Sequence, residues 1–238
     1  MNNFHTLSTI SKLDYNRENN IFLMIAREAG GMKRYFYPLG AVTFFASLLL
    51  IAGIQTDSVA KIDHFGDGLI EPLHFVQIFN FIGTQLFLGI ISILTVLFLW
   101  FRRNNYIGMV LLLIAVAGGN VLNKWMKNWI GRDRPQVEHA PDSFGFPSGH
   151  AMISLIAAIV IVFLVSEQVY SNTKKVVLYF VAITLSLLTG LSRLASEVHY
   201  FTDVVGGWLL GFTYAILCLL VYEWLLKRRR SLRAKRDF

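Results

Sequence analysis

Three short polar clusters interrupt this mostly apolar chain, and their residue types can bind and attack a phosphoryl group. The clusters are Lys127-Asn-Trp-Ile-Gly-Arg-Asp-Arg134-Pro135, Pro147-Ser148-Gly149-His150, and Ser192-Arg193 followed by His199 and Asp203. Arginine forms paired hydrogen bonds to phosphate oxygens, and lysine adds a compact positive charge. Histidine can serve as a nucleophile or exchange protons near neutral pH. These residue types predict phosphoryl transfer.

The first cluster combines a lysine at the end of a predicted helix with an arginine in an extended segment. Lys127 and Arg134 are seven residues apart, about two turns if the helix continued that far. Gly131 and Pro135 predict that the helix ends between them, and Arg134 is expected to be extended because it precedes proline. The alternative for a single Lys-Arg pair is an ordinary helix cap at a membrane interface.

The second cluster is typical of a turn that feeds a helix. Ser148 is a favourable helix N-cap, and the neighbouring proline and glycine punctuate the turn. A helix N-terminus offers free N–H groups to an anion, and Gly149 would let a phosphate approach the backbone closely. His150 then lies in the first turn of the helix. A single histidine there is usually structural, but this one faces the predicted anion site.

The third cluster pairs a histidine with a carboxylate. His199 and Asp203 are four residues apart, which places them on one face of a helix. A carboxylate bonded to one ring nitrogen fixes the tautomer and leaves the other nitrogen free to attack. The alternative is a capping pair that satisfies two buried polar groups. Arg193 would lie roughly opposite His199 on a continuous helix, so a bend between them is required if both contact one phosphate.

The elements that position these clusters are predicted to be membrane-spanning helices. Hydrophobic residues make up 55% of the 238 residues and charged residues only 16%, against about 25% charge in soluble domains. Six stretches without Asp, Glu, Lys or Arg approach the roughly 20 residues that a spanning helix needs. They are residues 35–54, 72–101, 104–123, 151–166, 176–192 and 204–222. The sequence therefore predicts an all-α polytopic membrane protein with six transmembrane helices.

The remaining segments are predicted to be tails and connections. Residues 1–34 are interpreted as a cytoplasmic tail with an interfacial helix near 21–26, or alternatively as a disordered tail, and no cleavable signal peptide is expected. Residues 35–226 form the predicted six-span domain, and 227–238 a basic cytoplasmic tail. The connection 55–71 contains no residues that specify chemistry by themselves. Its His64 is interpreted, like His74, as an interfacial residue rather than a ligand.

The distribution of basic residues predicts the orientation. In the six-span arrangement, six of the 22 Lys and Arg residues lie on the side of the membrane that carries the three clusters. The other sixteen lie on the opposite side. The positive-inside rule then makes both termini cytoplasmic and directs the clusters to the periplasm or cell exterior. This alternation explains the net charge of +7 better than a nucleic-acid partner does. Ionisable groups that converge at membrane depth usually line a functional cavity.

Taken together, the clusters resemble the signature of the type 2 phosphatidic acid phosphatase (PAP2) superfamily, which shares its site with vanadium haloperoxidases. That signature is Lys, six residues, Arg-Pro; then Pro-Ser-Gly-His; then Ser-Arg, five residues, His, three residues, Asp. Every specified position matches between Lys127 and Asp203. The resemblance implies a PAP2-type helical core within the six spans.

The resemblance also implies a role for each residue. His199 is expected to attack phosphorus and form a phosphohistidine, Asp203 to orient His199, and His150 to protonate the leaving oxygen and then activate water. The residues expected to hold the phosphoryl oxygens are Lys127, Arg134, Ser148, Gly149 and Arg193. No metal or other cofactor is implied, and the predicted outer loops contain no compact carboxylate cluster.

The expected activity is that of a bacterial inner-membrane lipid phosphatase acting on undecaprenyl diphosphate. A bare diphosphate headgroup in the outer leaflet suits a pocket with three cationic residues. The alternative substrates are phosphatidylglycerophosphate, phosphatidate and lipid A 1-phosphate. Two further alternatives are remote. A vanadium-dependent haloperoxidase is disfavoured because the known relatives are soluble, and a non-catalytic lipid transporter is disfavoured because transport needs no nucleophile. The expected partners are the lipid substrate and the bilayer, with no nucleic acid and no obligate protein partner.

Overall fold

The structure is a computed structural model that describes residues 37–70, 74–103, 105–137, 141–167 and 169–234. By its internal packing the chain divides into Met1–Leu39 and Gly40–Phe238. The second unit contains all three polar clusters. Of the first unit only residues 37–39 are described, at the start of the first helix. The tail and interfacial helix predicted within residues 1–34 lie outside the described residues.

The regular elements within these ranges are helical. They are α1 (Tyr37–Gln55), α2 (Ala60–Ile70), a 3-10 helix (His74–Gly83), α3 (Gln85–Arg103), α4 (Tyr106–Ile130), α5 (Gly149–Ser166), α6 (Asn172–Ala195) and α7 (Phe201–Ala234). Six of them, α1 and α3 to α7, are long and apolar enough to cross a membrane. Helices suit that environment because they satisfy their own backbone hydrogen bonds. The predicted all-α, six-span fold is confirmed.

Helix α5 is the centre of the bundle and packs against α4, α6 and α7. It is apolar around its whole circumference, as expected of a helix enclosed by others. Its buried side chains include Met152, Ile156, Val160 and Leu164, which join the main hydrophobic core. The helix that carries Ser148 and His150 at its start is therefore held rigidly on several sides.

Two glycines bring α7 close to the start of α5. A Cβ atom on Gly207 would lie 2.7 Å from the Ser148 carbonyl oxygen, and one on Gly211 would lie 2.8 Å from the Met152 carbonyl oxygen. Small residues four apart allow helix backbones to approach in this way. The close approach brings the first turn of α7, with Asp203, beside Ser148, whose N–H donates to the Asp203 carbonyl oxygen at 2.9 Å.

The second apolar stretch, 72–101, is not one continuous span. It breaks near Gly83, so that the first part is the 3-10 helix and the spanning helix begins only at Gln85. The stretch contains thirty residues, more than the roughly 20 that cross a bilayer, and the surplus packs against α6. Gln77 ties the two together by donating from Nε2 to the Ala195 carbonyl oxygen at 2.5 Å.

One turn ends α4 and another separates α6 from α7, and the sequence indicates both. Helix α4 stops at Ile130, just before the predicted range, because Gly131 adopts a left-handed conformation with φ 66° and caps the helix. The required bend lies between α6 and α7, where Glu197 has φ 58°. Helix α7 continues to Ala234, into the predicted basic tail.

Candidate active site

The three clusters meet at the end of the bundle where α4 ends and α5 and α7 begin, called the site end below. Lys127, in the last turn of α4, donates from Nζ to the Phe144 carbonyl oxygen and to the Gly145 carbonyl oxygen, the latter at 3.0 Å. Arg134 lies 2.9 Å from His199 through their Nη1 and Nε2 atoms. The Ser148 N–H of the second cluster donates to the Asp203 carbonyl oxygen of the third, so residues from all three clusters form one site.

His199 is buried, with 3% of its surface exposed, and both ring nitrogens have partners. Nδ1 lies 3.3 Å from Asp203 Oδ2, and Nε2 lies 2.9 Å from Arg134 Nη1. Arginine can only donate and a carboxylate only accepts, so the partners assign the proton to Nδ1 and a lone pair to Nε2. Burial lowers the pKa of His199 to about 4, although Asp203 acts to raise it. The arrangement holds a neutral imidazole whose Nε2 lone pair faces a cation.

Asp203 combines the two roles that the sequence left as alternatives. His199 lies in the turn before α7, which begins at Phe201, so the pair is not on one helical face as predicted. Asp203 Oδ2 instead accepts both from His199 Nδ1 and from the Tyr200 N–H, the latter at 3.1 Å. The second bond is typical of a capping box, in which the third helical residue reaches back to the helix start.

Three cationic side chains are anchored by neutral acceptors around the site. Arg134 donates from Nε to the Ser143 carbonyl oxygen at 2.6 Å and from Nη1 to the Val198 carbonyl oxygen at 2.8 Å. Arg193 donates from Nη1 to Asn80 Oδ1 at 2.6 Å, and Lys127 binds carbonyl oxygens as described above. Their positive charges are thus held without carboxylate partners in these contacts, as an anion site requires.

Ser148 occupies the N-cap position of α5, but its side chain does not cap the helix. Its Oγ is buried and has no hydrogen-bond partner among the described residues, and the same holds for Arg193 Nε. Buried polar atoms are usually hydrogen-bonded. The predicted N-cap position of Ser148 is confirmed, although its side chain makes no capping hydrogen bond. The two atoms are donors that a phosphate could satisfy.

His150 lies in the first turn of α5 against the 3-10 helix. A Cβ atom on Gly83 would come within 2.3 Å of His150 Cδ2 and 2.6 Å of Thr189 Cγ2. Arg193, His199 and Arg134 are close enough to interact electrostatically with His150. The 3-10 helix is thus one wall of the site, because it contacts His150 through Gly83 and Arg193 through Asn80.

Four polar residues of the site escaped the sequence analysis. Asn123 donates from Nδ2 to the Pro147 carbonyl oxygen at 3.1 Å and abuts Gly149, where a Cβ atom would lie 3.1 Å from its Oδ1. Asn80 holds Arg193, and Arg132 contacts both Asp203 and Asp63. Two of them had a signal in the sequence: Arg132 lies inside the first polar cluster, and Asn123 is a polar residue one turn before Lys127 in an apolar helix.

Two cavities flank the site. One has a volume of about 780 Å³ and is lined by Asp63, Arg132, Glu197, His199 and Tyr200, among others. The other has a volume of about 640 Å³ and reaches Lys127 and Arg134. In the part of the chain that the structure describes, no group of three or more His, Cys, Asp or Glu side chains could hold a metal ion.

A sequence model of the PAP2 superfamily matches residues 108–227, which contain all three clusters. The chain belongs to the PAP2 superfamily. It is 32% identical over 187 residues to phosphatidylglycerophosphatase B of Bacillus subtilis, covering 74% of this chain and 90% of that protein. It is also 26% identical to the undecaprenyl-diphosphatase of Sulfolobus acidocaldarius, covering 80% and 93%.

Two solved structures share the architecture. The crystal structure of a transmembrane PAP2-type phosphatidylglycerolphosphate phosphatase from Bacillus subtilis has a TM-score of 0.69 at 29% identity, covering 77% of this chain and 96% of that one. That of Aquifex aeolicus LpxE has a TM-score of 0.50 at 24% identity, covering 64% and 92%, and shows likeness of fold. The chain is therefore a multi-pass membrane enzyme of the PAP2 lipid phosphatase family, a phosphoric ester hydrolase.

Proposed function

We propose that this PAP2 enzyme hydrolyses a lipid phosphate or diphosphate through a phosphohistidine on His199. The observation that carries the proposal is the position of His199 Nε2, 2.9 Å from Arg134 Nη1 on a ring whose Nδ1 faces Asp203. Arg134 can exchange this bond for a phosphoryl oxygen and so bring phosphorus to the nucleophile. Lys127, Ser148, Gly149 and Arg193 hold the remaining oxygens.

The reaction proceeds in two displacements. His199 Nε2 attacks phosphorus, the bond from phosphorus to the lipid oxygen breaks, and His150 gives a proton to that oxygen. A water molecule then loses a proton to His150 and attacks phosphorus, the N–P bond breaks, and inorganic phosphate leaves. The cationic side chains stabilise the charge on the phosphoryl oxygens in both transition states. Asp203 stabilises the positive charge that develops on His199.

Rapid-quench labelling tests the intermediate. Substrate with a 32P label in the transferred phosphoryl group should label the wild-type protein with an acid-labile, alkali-stable phosphate, and His199→Ala should remain unlabelled. Hydrolysis and labelling should also persist in EDTA, because the chemistry assigned above requires only side chains and water. Labelling of His199→Ala equal to that of the wild type would contradict the assignment.

For the substrate we favour undecaprenyl diphosphate. The bare diphosphate matches a site whose anchored groups are three cations, and one relative is named an undecaprenyl-diphosphatase. Phosphatidylglycerophosphate is the second candidate because the relative at 32% identity is named for it.

The test is kcat/KM for both lipids, phosphatidate and lipid A 1-phosphate in mixed micelles. A tenfold preference for one of the other lipids, about 1.4 kcal/mol in transition-state free energy, would exclude our choice.

For the orientation we propose a bacterial inner membrane with both termini cytoplasmic and the site end facing the periplasm or exterior. Under this assignment residues 1–34 and 227–238 are cytoplasmic tails of a domain formed by 35–226. The charge distribution supports it. The exposed Asp142, replaced by cysteine in a Cys218→Ser background, should react with an impermeant thiol reagent in intact cells. Reaction only after permeabilisation would invert the orientation.

A further inference from the structure

A buried ion-pair network lies behind Asp203, on residues outside the PAP2 signature. Arg132 donates from Nη1 to Asp203 Oδ1 at 2.7 Å and from Nη2 to Asp63 Oδ2 at 2.5 Å. The side chains are 15% exposed for Arg132, 5% for Asp63 and 0% for Asp203. Burial acts to lower the pKa of Arg132, but the two carboxylates outweigh it and raise that pKa. The guanidinium therefore bridges two buried carboxylates.

Asp63 also fastens α2 to the beginning of α7. Its Oδ1 accepts from the Thr202 N–H at 2.8 Å, one of the N-terminal N–H groups that a helix cannot satisfy internally. Next to it, a Cβ atom on Gly66 would lie 2.1 Å from Phe201 Cγ, so only glycine permits this approach. Helix α2 thus supplies the cap for the helix that carries Asp203.

We infer that Arg132, held by Asp63, is a positioning residue that fixes the Asp203 carboxylate and through it the His199 ring. The inference rests on the proposed function, in which His199 is the nucleophile. Arg132 binds Oδ1 of Asp203 whereas His199 faces Oδ2, so the arginine stops the carboxylate from rotating away from the imidazole. Its bond to Thr202 Oγ1 at 2.7 Å and its position 4.5 Å from the Tyr200 ring centre hold the guanidinium in turn.

Charge gives Asp63 a second contribution. Arg132 and Asp203 alone would form a neutral pair, which would support the positive charge developing on His199 only weakly. With Asp63 the three side chains carry a net charge of −1. The network therefore fixes the carboxylate without cancelling its electrostatic effect on His199. Removing such a partner, one contact away from the reacting group, is expected to lower activity about 10- to 100-fold, as it does for the partners of metal-bound histidines.

A double-mutant cycle tests whether Arg132 acts through Asp203. Arg132→Gln is measured in the wild-type and the Asp203→Asn backgrounds, with whichever lipid of the four gives the highest kcat/KM. In the wild type we expect Arg132→Gln to lower kcat about 30-fold and to change KM less than about threefold. In the Asp203→Asn background the same substitution should lower kcat less than about threefold, because the effects of substitutions within one network do not add. Equal losses in both backgrounds, or an effect on KM alone, would overturn the inference.

Asp63→Asn should lower kcat about 3- to 10-fold, with the same dependence on Asp203. The neighbouring exposed residue Asp133 provides the matched control, since Asp133→Asn should leave kcat unchanged. If Arg132→Gln does not fold, Arg132→Lys carries the cycle, because lysine keeps the charge but cannot bridge both carboxylates with a planar fork. Retained activity in His199→Ala would instead refute the proposed function, so the two failures are distinguishable.

Discussion

Helices α4, α5 and α7 are built differently at their two ends. At the site end they and their connections bury His199 and Asp203, and the neighbouring helix α6 buries Arg193. At the opposite end Leu164 is fully buried in the hydrophobic core, and Tyr222 packs edge-on against Phe163 with ring centres 5.9 Å apart. The same helices therefore have one end organised around charge and one organised mainly around apolar packing.

The opposite end contains polar atoms too, among them a neutral amide–hydroxyl pair and the Glu167 carboxyl group, which interacts with Tyr222. The Asn105 amide donates to the Tyr222 hydroxyl at 3.1 Å, while its own oxygen accepts from the Gly108 N–H and caps α4. Buried charge is costly in a membrane protein and is retained mainly where it acts. Substitutions at the site end should therefore affect catalysis more than folding, and those at the opposite end should do the reverse.

The largest effect is expected from His199→Ala. Loss of the nucleophile should reduce kcat at least about a thousandfold, while the protein remains monodisperse in detergent. The control is His64→Ala on α2, an exposed histidine that should be dispensable. Phosphate release from purified protein measures both. A His199→Ala variant with a hundredth of wild-type kcat would be too active for the proposed role and would remove the distinction between the two ends.

The next effect concerns the wall formed by the 3-10 helix. Gly83→Ala would place a methyl group 2.3 Å from His150 Cδ2, so His150 must move and kcat should fall about tenfold or more, as misplacement of a reacting group does. Gly89→Ala in α3 is the matched control, since no atom lies within 4 Å of its Cβ position. Similar kcat values for the two variants would show that the wall does not position His150.

A third prediction concerns the protonation of His199. Burial lowers its pKa to about 4, below the ordinary value of about 6.5, so the ring should stay neutral at pH 5.5. Because the unfolded chain binds more protons between these values, this histidine stabilises the fold above about pH 6.5, and that contribution is lost as pH falls towards 4. NMR of histidine-labelled protein, with His199→Gln to assign the signal, measures the titration. A midpoint near 6.5 would contradict the prediction.

The smallest catalytic effect is expected from Tyr222→Phe at the opposite end. Removing the hydroxyl leaves the Asn105 amide without this acceptor and removes the interaction with Glu167. The loss should cost about 1–2 kcal/mol in the free energy of unfolding. The thermal midpoint should fall by a few degrees, while kcat and KM stay within about twofold of wild type. Thermal unfolding in detergent and the phosphate-release assay together measure this. A large loss of kcat at unchanged stability would mean that the apolar end also serves catalysis.

Much of the fold could be predicted because its determinants are local in the chain. The lengths of the charge-free stretches identify six spans without reference to neighbouring helices. Gly131 ends α4 through its own backbone conformation, whatever that helix packs against. The break near Gly83 escaped prediction because the stretch 72–101 contains no Asp, Glu, Lys or Arg to mark where a span begins. Only its packing against α6 and His150 distinguishes the 3-10 helix from the span that follows.

The candidate site divides in the same way. The residues proposed to carry the chemistry could be selected by their types and spacing along the chain, and the need for a bend between Arg193 and His199 followed from helical geometry. Two details depend on atoms that α5 and α7 bring together. One is which oxygen of Asp203 faces His199, and the other is that Ser148 Oγ makes no capping hydrogen bond. No pattern in the sequence specifies those contacts.

By itself, then, the sequence determined the six spans, the family signature and the residues able to perform phosphoryl transfer. Only the tertiary structure decided how those residues are held. Asp63 reaches the Thr202 N–H across 139 residues of chain, and Arg193 reaches Asn80 across 113. Contacts over such separations depend on how helices pack, and packing is set by the shapes of both surfaces together. Local composition specifies each helix, but the partner of a buried charge exists only once the helices have met.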